Sequence, residues 1–455
     1  MSKLRSIDPA TGMLNEEIPY HSDEDINEKV VKSTAAFNDW SDENVVERTF
    51  LLEELARIIR RRENELATLI TKEMGKPIKE SLAEIEKCAW ACDYFAEKTE
   101  SFLKVEKLNT DASESFIEYR PMGTVLSIMP WNFPFWQALR FGVPAVAGGN
   151  TVLLKHASNV PLCAIELERI FVEAGFPEGI YQTLLIDGPT ASSLISRPEI
   201  NAVTLTGSLN AGSMVAQMAG KNIKKFVLEL GGSDPFIVLK DADIEDAAKA
   251  AVKSRFQNNG QSCIAAKRIL VDETVEEEFI SYFLNYVKEL RVGHPFDKQT
   301  DIGPLANETQ LNILIDQVER TIKMGANILI EGGLDKREGY YYNPTVLNGL
   351  DSKSPVLQEE VFGPVAPIVP FKTQDEAVKI ANSTEFGLGA SIWGRDKRNA
   401  LSVASSIDAG IFGINSPVAS DPRVPFGGVK KSGVGRELYR IGMMEFMQPC
   451  AFKIF

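Results

Sequence analysis

Gly123-Thr-Val-Leu-Ser-Ile-Met129 carries no charge and stops at Pro130. A short, uncharged run rich in aliphatic side chains reads as a strand buried on both faces. The pattern then repeats downstream. Strands are predicted at 150–155, 181–186, 202–206 and 225–230, with helices at 161–175, 191–196 and 211–219; Gly175 and Pro177 stop the first of these helices. Strand, loop and helix in regular alternation predict a parallel sheet with helices on both faces.

Upstream, residues 24–100 read as helical. Leu51, Leu52, Leu55, Ile58 and Ile59 recur at helical spacing, Arg57, Arg60, Arg61 and Arg62 fall mostly off that face, and Gly75 and Pro77 mark a stop. Residues 115–119 alternate as a strand does. Beyond Gly231-Gly232 a second series begins, with helices at 244–258, 275–290, 308–324 and 374–382 and strands at 268–271 and 327–331. The fold class is therefore α/β, with two open-sheet lobes meeting near Gly231-Gly232. The apolar end, 450–455, reads either as a frayed tail or as a strand that pairs with a partner subunit, because an exposed apolar edge strand is a liability.

With 455 residues the chain is long enough for two or three lobes. A formal net charge of −14 disfavours nucleic acid as a partner. The N-terminus has no signal-peptide pattern, and the most apolar stretch, 143–154, is broken by Pro144, Gly148, Gly149 and Asn150, so no membrane span is predicted. Five scattered cysteines point to a reducing cytoplasm. The three histidines, His21, His156 and His294, have no metal-ligand spacing with a cysteine or with one another, so no metal site is read.

Four segments carry chemistry. Cys263 lies in Asn258-Asn-Gly-Gln-Ser-Cys-Ile264, at the junction of a helix and a glycine-containing loop, where backbone N–H dipoles would favour thiolate. Alone it reads as a structural thiol before it reads as a nucleophile, which needs a base and an oxyanion hole. Glu229, in Val227-Leu-Glu-Leu-Gly-Gly-Ser233, is a carboxylate inside an apolar strand; burial would raise its pKa towards that of a general base, while an exposed edge position is the alternative. Met129-Pro-Trp-Asn-Phe-Pro134 follows a buried strand, and Asn132 offers an amide donor for an oxyanion, or the segment is a packed turn. Thr206-Gly-Ser-Leu-Asn-Ala-Gly212 opens a helix and suits a phosphate, or is an ordinary polar cap. No G-x-G-x-x-G is present.

Together with Leu153-Leu-Lys155, Glu359-Glu-Val-Phe-Gly-Pro364, Pro425-Phe-Gly-Gly428 and Ser432-Gly433, these segments resemble the aldehyde dehydrogenase superfamily, in the family's order and over most of the chain. The resemblance implies two Rossmann-like domains and a small strand arm: a dinucleotide-binding domain at 1–102 and 122–231, a catalytic domain at 232–433, and an oligomerisation arm at 103–121 and 434–455 of a homodimer or homotetramer. It implies Cys263 as nucleophile, Glu229 as general base and Asn132 at the oxyanion. Cofactor contacts would come from Met129, Pro130, Trp131, Lys155, Ser158, Thr206, Gly207, Ser208, Leu230, Glu360 and Phe362, and Glu437 would relay protons.

Within the family, Leu154-Lys-His-Ala-Ser-Asn159 looks most like the short microbial succinate-semialdehyde dehydrogenases. Ser158 stands where many NAD-preferring relatives have a glutamate that would repel a 2′-phosphate. Such a charge pair at about 4 Å costs roughly 1 kcal/mol in water and about 4 kcal/mol at an effective dielectric near 20. NADP is therefore the expected cofactor, with NAD usable. Arg140 is the expected grip on the distal carboxylate, or a salt-bridged residue of the catalytic lobe, with Trp136, Ser420 and Phe426 lining the pocket. Where some of these enzymes carry a second arginine this chain has Gln257, and Arg423 is a possible substitute. Competing readings are another small aldehyde as substrate, a CoA-acylating dehydrogenase (disfavoured by Glu229), a cysteine hydrolase, and a non-catalytic protein on the same fold.

Overall fold

The structure is a computed structural model that describes residues 3–455. Four helices open the chain after a short hairpin of Lys3–Ile7 with Leu14–Pro19: α1 (Asp23–Asp42), α2 (Val45–Arg61), α3 (Glu63–Met74) and α4 (Ile78–Phe102). Ser22 caps α1 in a reciprocal capping box with Asp25, and α3 ends on Gly75 in the left-handed conformation, as its lack of a Cβ allows.

The first sheet has six strands in the spatial order Gly433–Val434, Lys225–Glu229, Ile200–Thr206, Thr124–Met129, Thr151–His156, Tyr181–Thr183. Five run parallel, and Gly433–Val434 adds antiparallel at one edge. Between them run α5 (Pro134–Ala147), α6 (Pro161–Glu173), α7 (Gly188–Leu194) and α8 (Leu209–Lys221). The strand order reverses between Thr124–Met129 and Ile200–Thr206. A crevice opens at the carboxyl ends of strands at such a point, and ligands bind there. Thr206, Glu229 and the loop after Met129 all stand at that edge.

The predicted elements of this half form, with one addition. Helix α5 was not read from the sequence. All fourteen of its residues are buried, so it has no polar face to give it a helical stripe. Its Pro134 occupies the first turn, where the missing N–H costs nothing. The strand predicted at 181–186 ends at Thr183.

The second sheet has seven strands in the order Asn327–Ile330, Thr345–Asn348, Val365–Phe371, Arg268–Asp272, Pro235–Val238, Gly389–Trp393, Ile411–Ile414. All neighbours are parallel except the first pair. Helix α9 (Ile244–Phe256) packs on it and leads directly into the segment bearing Cys263. A third, three-stranded sheet joins Met447–Ile454 to Glu114–Pro121 and Glu106–Lys107. The terminal strand is not frayed: each of its eight residues pairs antiparallel with Glu114–Pro121, and Phe452 stacks on Phe116 at 4.8 Å. No helix among the described residues is long and apolar enough to cross a membrane.

Candidate active site

The cysteine segment is shaped by three consecutive left-handed residues, Asn258 (φ 52°), Asn259 (φ 58°) and Gly260 (φ 75°). Asparagine tolerates this region better than most residues, and each strained position must be held by its surroundings. Here the Asn258 N–H donates to Glu80 Oε2 at 2.7 Å and its Nδ2 to the Asn132 carbonyl at 2.7 Å, while Asn259 Nδ2 donates to the Pro304 carbonyl at 2.7 Å. Past this turn, buried Lys267 donates to the carbonyls of Ser262 (2.7 Å) and Cys263 (2.6 Å). The nucleophile segment is thereby fixed from both sides.

The sequence argument for a helix dipole at Cys263 does not hold. Helix α9 ends at Phe256 and no helix begins at Cys263. Burial pushes the thiol up to about 11, against the pull of Lys267 and Arg140. The group rests as a thiol and needs a base to react.

Cys263 lines two cavities at once. One, of about 260 Å³, lies along the crevice of the first sheet and is walled by Pro130, Trp131, Asn132, Thr206, Gly207, Ser208, Glu229, Leu230, Glu360 and Phe362. Of the residues expected to hold a cofactor, all line this wall except Met129, Lys155 and Ser158. Met129 is buried beneath it. Lys155 and Ser158 lie at the end of the next strand, where His156 pairs in register with Met129. Ser158 is exposed, and Lys155 is partly buried with its pKa lowered by burial.

This wall suits a nicotinamide dinucleotide. Ser208 caps α8 by accepting from Ala211 N, and the first amides of the helix have no partner within it, so they present donors to a phosphate. Gly207 N donates to the Glu229 carbonyl at 3.0 Å, tying the loop to the next strand. Glu360 Oε1 accepts from Gly232 N at 2.8 Å, and a Cβ on Gly231 would collide with the same carboxylate. Phe362 and Trp131 meet edge to face at 6.1 Å. Carboxylate, amides and aromatic wall match the hydroxyls, pyrophosphate and ring of such a cofactor.

Glu229 is 2% exposed, and neither carboxylate oxygen has a hydrogen-bond partner. Burial holds its pKa well above the usual carboxylate range, helped by the nearby Glu437. Gly427, at φ 150°, leaves room for it, since a Cβ there would sit 2.6 Å from Glu229 Oε1. Glu437 is also buried and its pKa is raised by burial, while Arg140 pulls it down through a hydrogen-bonded ion pair. The Asn132 side chain donates to the Gln261 carbonyl at 3.1 Å through Nδ2 and has a second hydrogen to offer.

The second cavity, of about 180 Å³, joins Cys263 to Trp136, Arg140, Ser420 and Phe426, the residues expected around the substrate. Arg140 lines it, but its Nε is committed to Glu437, its Nη2 donates to Thr206 Oγ1 at 3.3 Å, and its guanidinium lies 4.4 Å over Phe426. Arg423 does not line this cavity; it is exposed and bound to Asp421 at 2.6 Å, whereas Gln257 does line it. Sequence reading missed three residues of α4 that face this region. Glu84 accepts from the first amides of α5, at Phe135 (2.9 Å) and Trp136 (3.0 Å), and is itself paired with buried Lys76. Glu80 and Lys87 line the cavity. The spacing i, i+4, i+7 of Glu80, Glu84 and Lys87 places all three on one helical face, which is the signal that was available.

Comparison with known proteins agrees with this geometry. Residues 1–451 match the aldehyde dehydrogenase family. The chain belongs to that family. Among curated relatives, a probable succinate-semialdehyde dehydrogenase [NADP(+)] of Synechocystis is 47% identical over 98% of both chains. The succinate semialdehyde dehydrogenase [NAD(P)+] of Escherichia coli is 44% identical, covering 97% of this chain and 96% of its own. Among solved structures, the succinic semialdehyde dehydrogenase of Streptococcus pyogenes, in complex with NADP+, superposes with a TM-score of 0.97 at 34% identity over 99% of both chains.

Proposed function

We propose that this aldehyde dehydrogenase oxidises succinate semialdehyde to succinate with NADP as the preferred acceptor and NAD as a usable one. The observation that carries the reading is Cys263 at the meeting point of two cavities, one shaped for a dinucleotide and one for a short aldehyde. The relatives named above support the substrate and the cofactor.

In this reading, Lys267 holds the Cys263 carbonyl so that the thiol and its own N–H keep one orientation. The thiol gives its proton to water in the cavity as the sulfur adds to the aldehyde carbon, and Asn132 and the Cys263 N–H receive the oxyanion. The nicotinamide, when bound, supplies the hydride acceptor. Glu229, short of hydrogen bonds and raised in pKa, then takes a proton from water. That water attacks the Cys263 thioester, the C–S bond breaks, and the second water proton passes from the new acid to the departing sulfur, so succinate leaves ionised and the thiol is restored. Arg140 offsets part of the burial that raises the Glu437 pKa, and Glu437 passes the proton outward from Glu229. Ser158 leaves a 2′-phosphate unopposed near Lys155. The free outer edge of Met447–Ile454 joins a second copy, giving a homodimer or pairs of dimers, with the sheet of Glu106–Lys107, Glu114–Pro121 and Met447–Ile454 as the arm.

Initial rates at 340 nm with succinate semialdehyde, butanal and glyceraldehyde, each with NADP and NAD, test the reading. The expected order places succinate semialdehyde with NADP first. A higher kcat/KM for either other aldehyde overturns the substrate, and a far higher kcat/KM with NAD overturns the cofactor.

A further inference from the structure

We propose that Lys87 selects a carboxylated aldehyde by giving its ammonium to the far end of the substrate, a role that rests on the reading above. Lys87 is partly buried on α4 and lines the same cavity as Cys263. Its Nζ donates to Ser420 Oγ at 2.7 Å and lies 4.4 Å over the Trp136 ring. Trp136 Nε1 also donates to Ser420 Oγ, at 3.1 Å, so the serine is held for the lysine. Both contacts are neutral. Among the described residues no carboxylate oxygen comes within 4.0 Å of this nitrogen.

The other charges around it, Glu80 apart, are already paired. On its own helix, Glu84 is bound to Lys76 and Glu80 accepts from Asn258 N, while Cys88 is a buried thiol. Arg140, facing it from α5, is paired with Glu437, and Asp421, from the loop beyond Ser420, is paired with Arg423. Lys87 is thus a partly buried ammonium with no carboxylate within 4.0 Å, in a cavity whose other landmark is the nucleophile. Burying a cation without a partner is costly, and an arriving carboxylate relieves that cost. Burial, with Arg140 adding repulsion, pushes the amine down to about 8. An aldehyde bearing a carboxylate at its other end satisfies both ends of the cavity, and an uncharged aldehyde satisfies only one.

The test is the ratio of kcat/KM for succinate semialdehyde over butanal, measured from pH 6.5 to 9.5 for wild type, Lys87→Met and Lys87→Arg. Titrations common to both substrates cancel in the ratio. Loss of a charge-assisted hydrogen bond predicts that Lys87→Met lowers the ratio by about 10- to 100-fold, chiefly through the KM of succinate semialdehyde. The wild-type ratio falls as pH rises through about 8, as the amine loses its charge. Lys87→Arg keeps the ratio within about tenfold of wild type and removes that fall, because guanidinium does not titrate there. A wild type that favours butanal defeats the substrate reading and this inference with it. A wild type that favours succinate semialdehyde with a pH-independent ratio, or a Lys87→Met enzyme with an undiminished one, defeats this inference alone, and the wild-type profile decides even if Lys87→Met does not fold.

Discussion

Replacing Arg140 by leucine should destabilise the protein severely, before any effect on substrate is considered. Arg140 and Glu437 are each 2% exposed and form a hydrogen-bonded ion pair. Glu437 Oε1 already lacks a partner, as do both oxygens of Glu229 beside it. Without the guanidinium, Glu437 becomes a buried carboxylate with no cation. Breaking a buried pair from one side costs about 3–5 kcal/mol, whereas replacing both members with apolar groups is often close to neutral. Urea unfolding of wild type, Arg140→Leu, Glu437→Leu and the double variant therefore gives a clear expectation. Arg140→Leu loses about 3–5 kcal/mol, and the double variant recovers at least about 2 kcal/mol of it. The pH dependence follows the same logic. With Arg140 gone, nothing offsets the burial that raises the Glu437 pKa, so the folded state holds its proton more tightly than the unfolded chain. Stability of Arg140→Leu is then greatest below the unfolded carboxyl pKa and is lost as pH rises through the raised folded value. An Arg140→Leu protein within about 1 kcal/mol of wild type, or a double variant as unstable as the two singles summed, would refute the pairing as an energetic unit.

Three further outcomes are expected. Glu229→Gln should lower steady-state turnover by about 10²- to 10⁴-fold while leaving a rapid burst of reduced cofactor, since hydride transfer precedes the step that needs the base; turnover near wild type in stopped-flow absorbance would remove Glu229 from that role. Ser158→Glu should reduce kcat/KM with NADP by about fivefold or more and spare NAD, from the charge repulsion of about 1–4 kcal/mol; parallel losses with both cofactors would show that position 158 does not face the 2′-phosphate. Alkylation of Cys263 by iodoacetamide in cofactor-free enzyme should accelerate through the alkaline range towards pH 11, because burial raises the thiol; a plateau already reached at pH 7 would show a preformed thiolate.

Much of this architecture was legible because it rests on periodicity and punctuation. The alternating half around Gly123–Met129 gave strands, helices and their parallel order, and the glycines at Gly231-Gly232 marked the passage between sheets. The parts that were not legible share a physical reason. Helix α5 is buried on every side, and strands such as Pro235–Val238 and Gly389–Trp393 are short runs buried within the second sheet, so neither type presents an amphipathic pattern. At the site, the motifs named Cys263, Glu229, Asn132 and Glu360, and the structure brings all four around one cavity. Glu80, Glu84 and Lys87 were hidden in a helix that reads as an ordinary charged surface. Arg140 was open to two readings, a substrate contact or a salt-bridged residue; it lines the cavity and is also paired with Glu437, a partner 297 positions away that no local pattern names.

The most direct test of the central claim is to trap the covalent intermediate. Glu229→Gln enzyme is mixed with succinate semialdehyde and NADP, quenched in acid, digested and analysed by mass spectrometry. The account predicts a succinyl group on the peptide containing Cys263, absent when either NADP or the aldehyde is withheld. An unmodified Cys263 peptide accompanied by reduced cofactor, or a succinyl group on Cys450 instead, would contradict it.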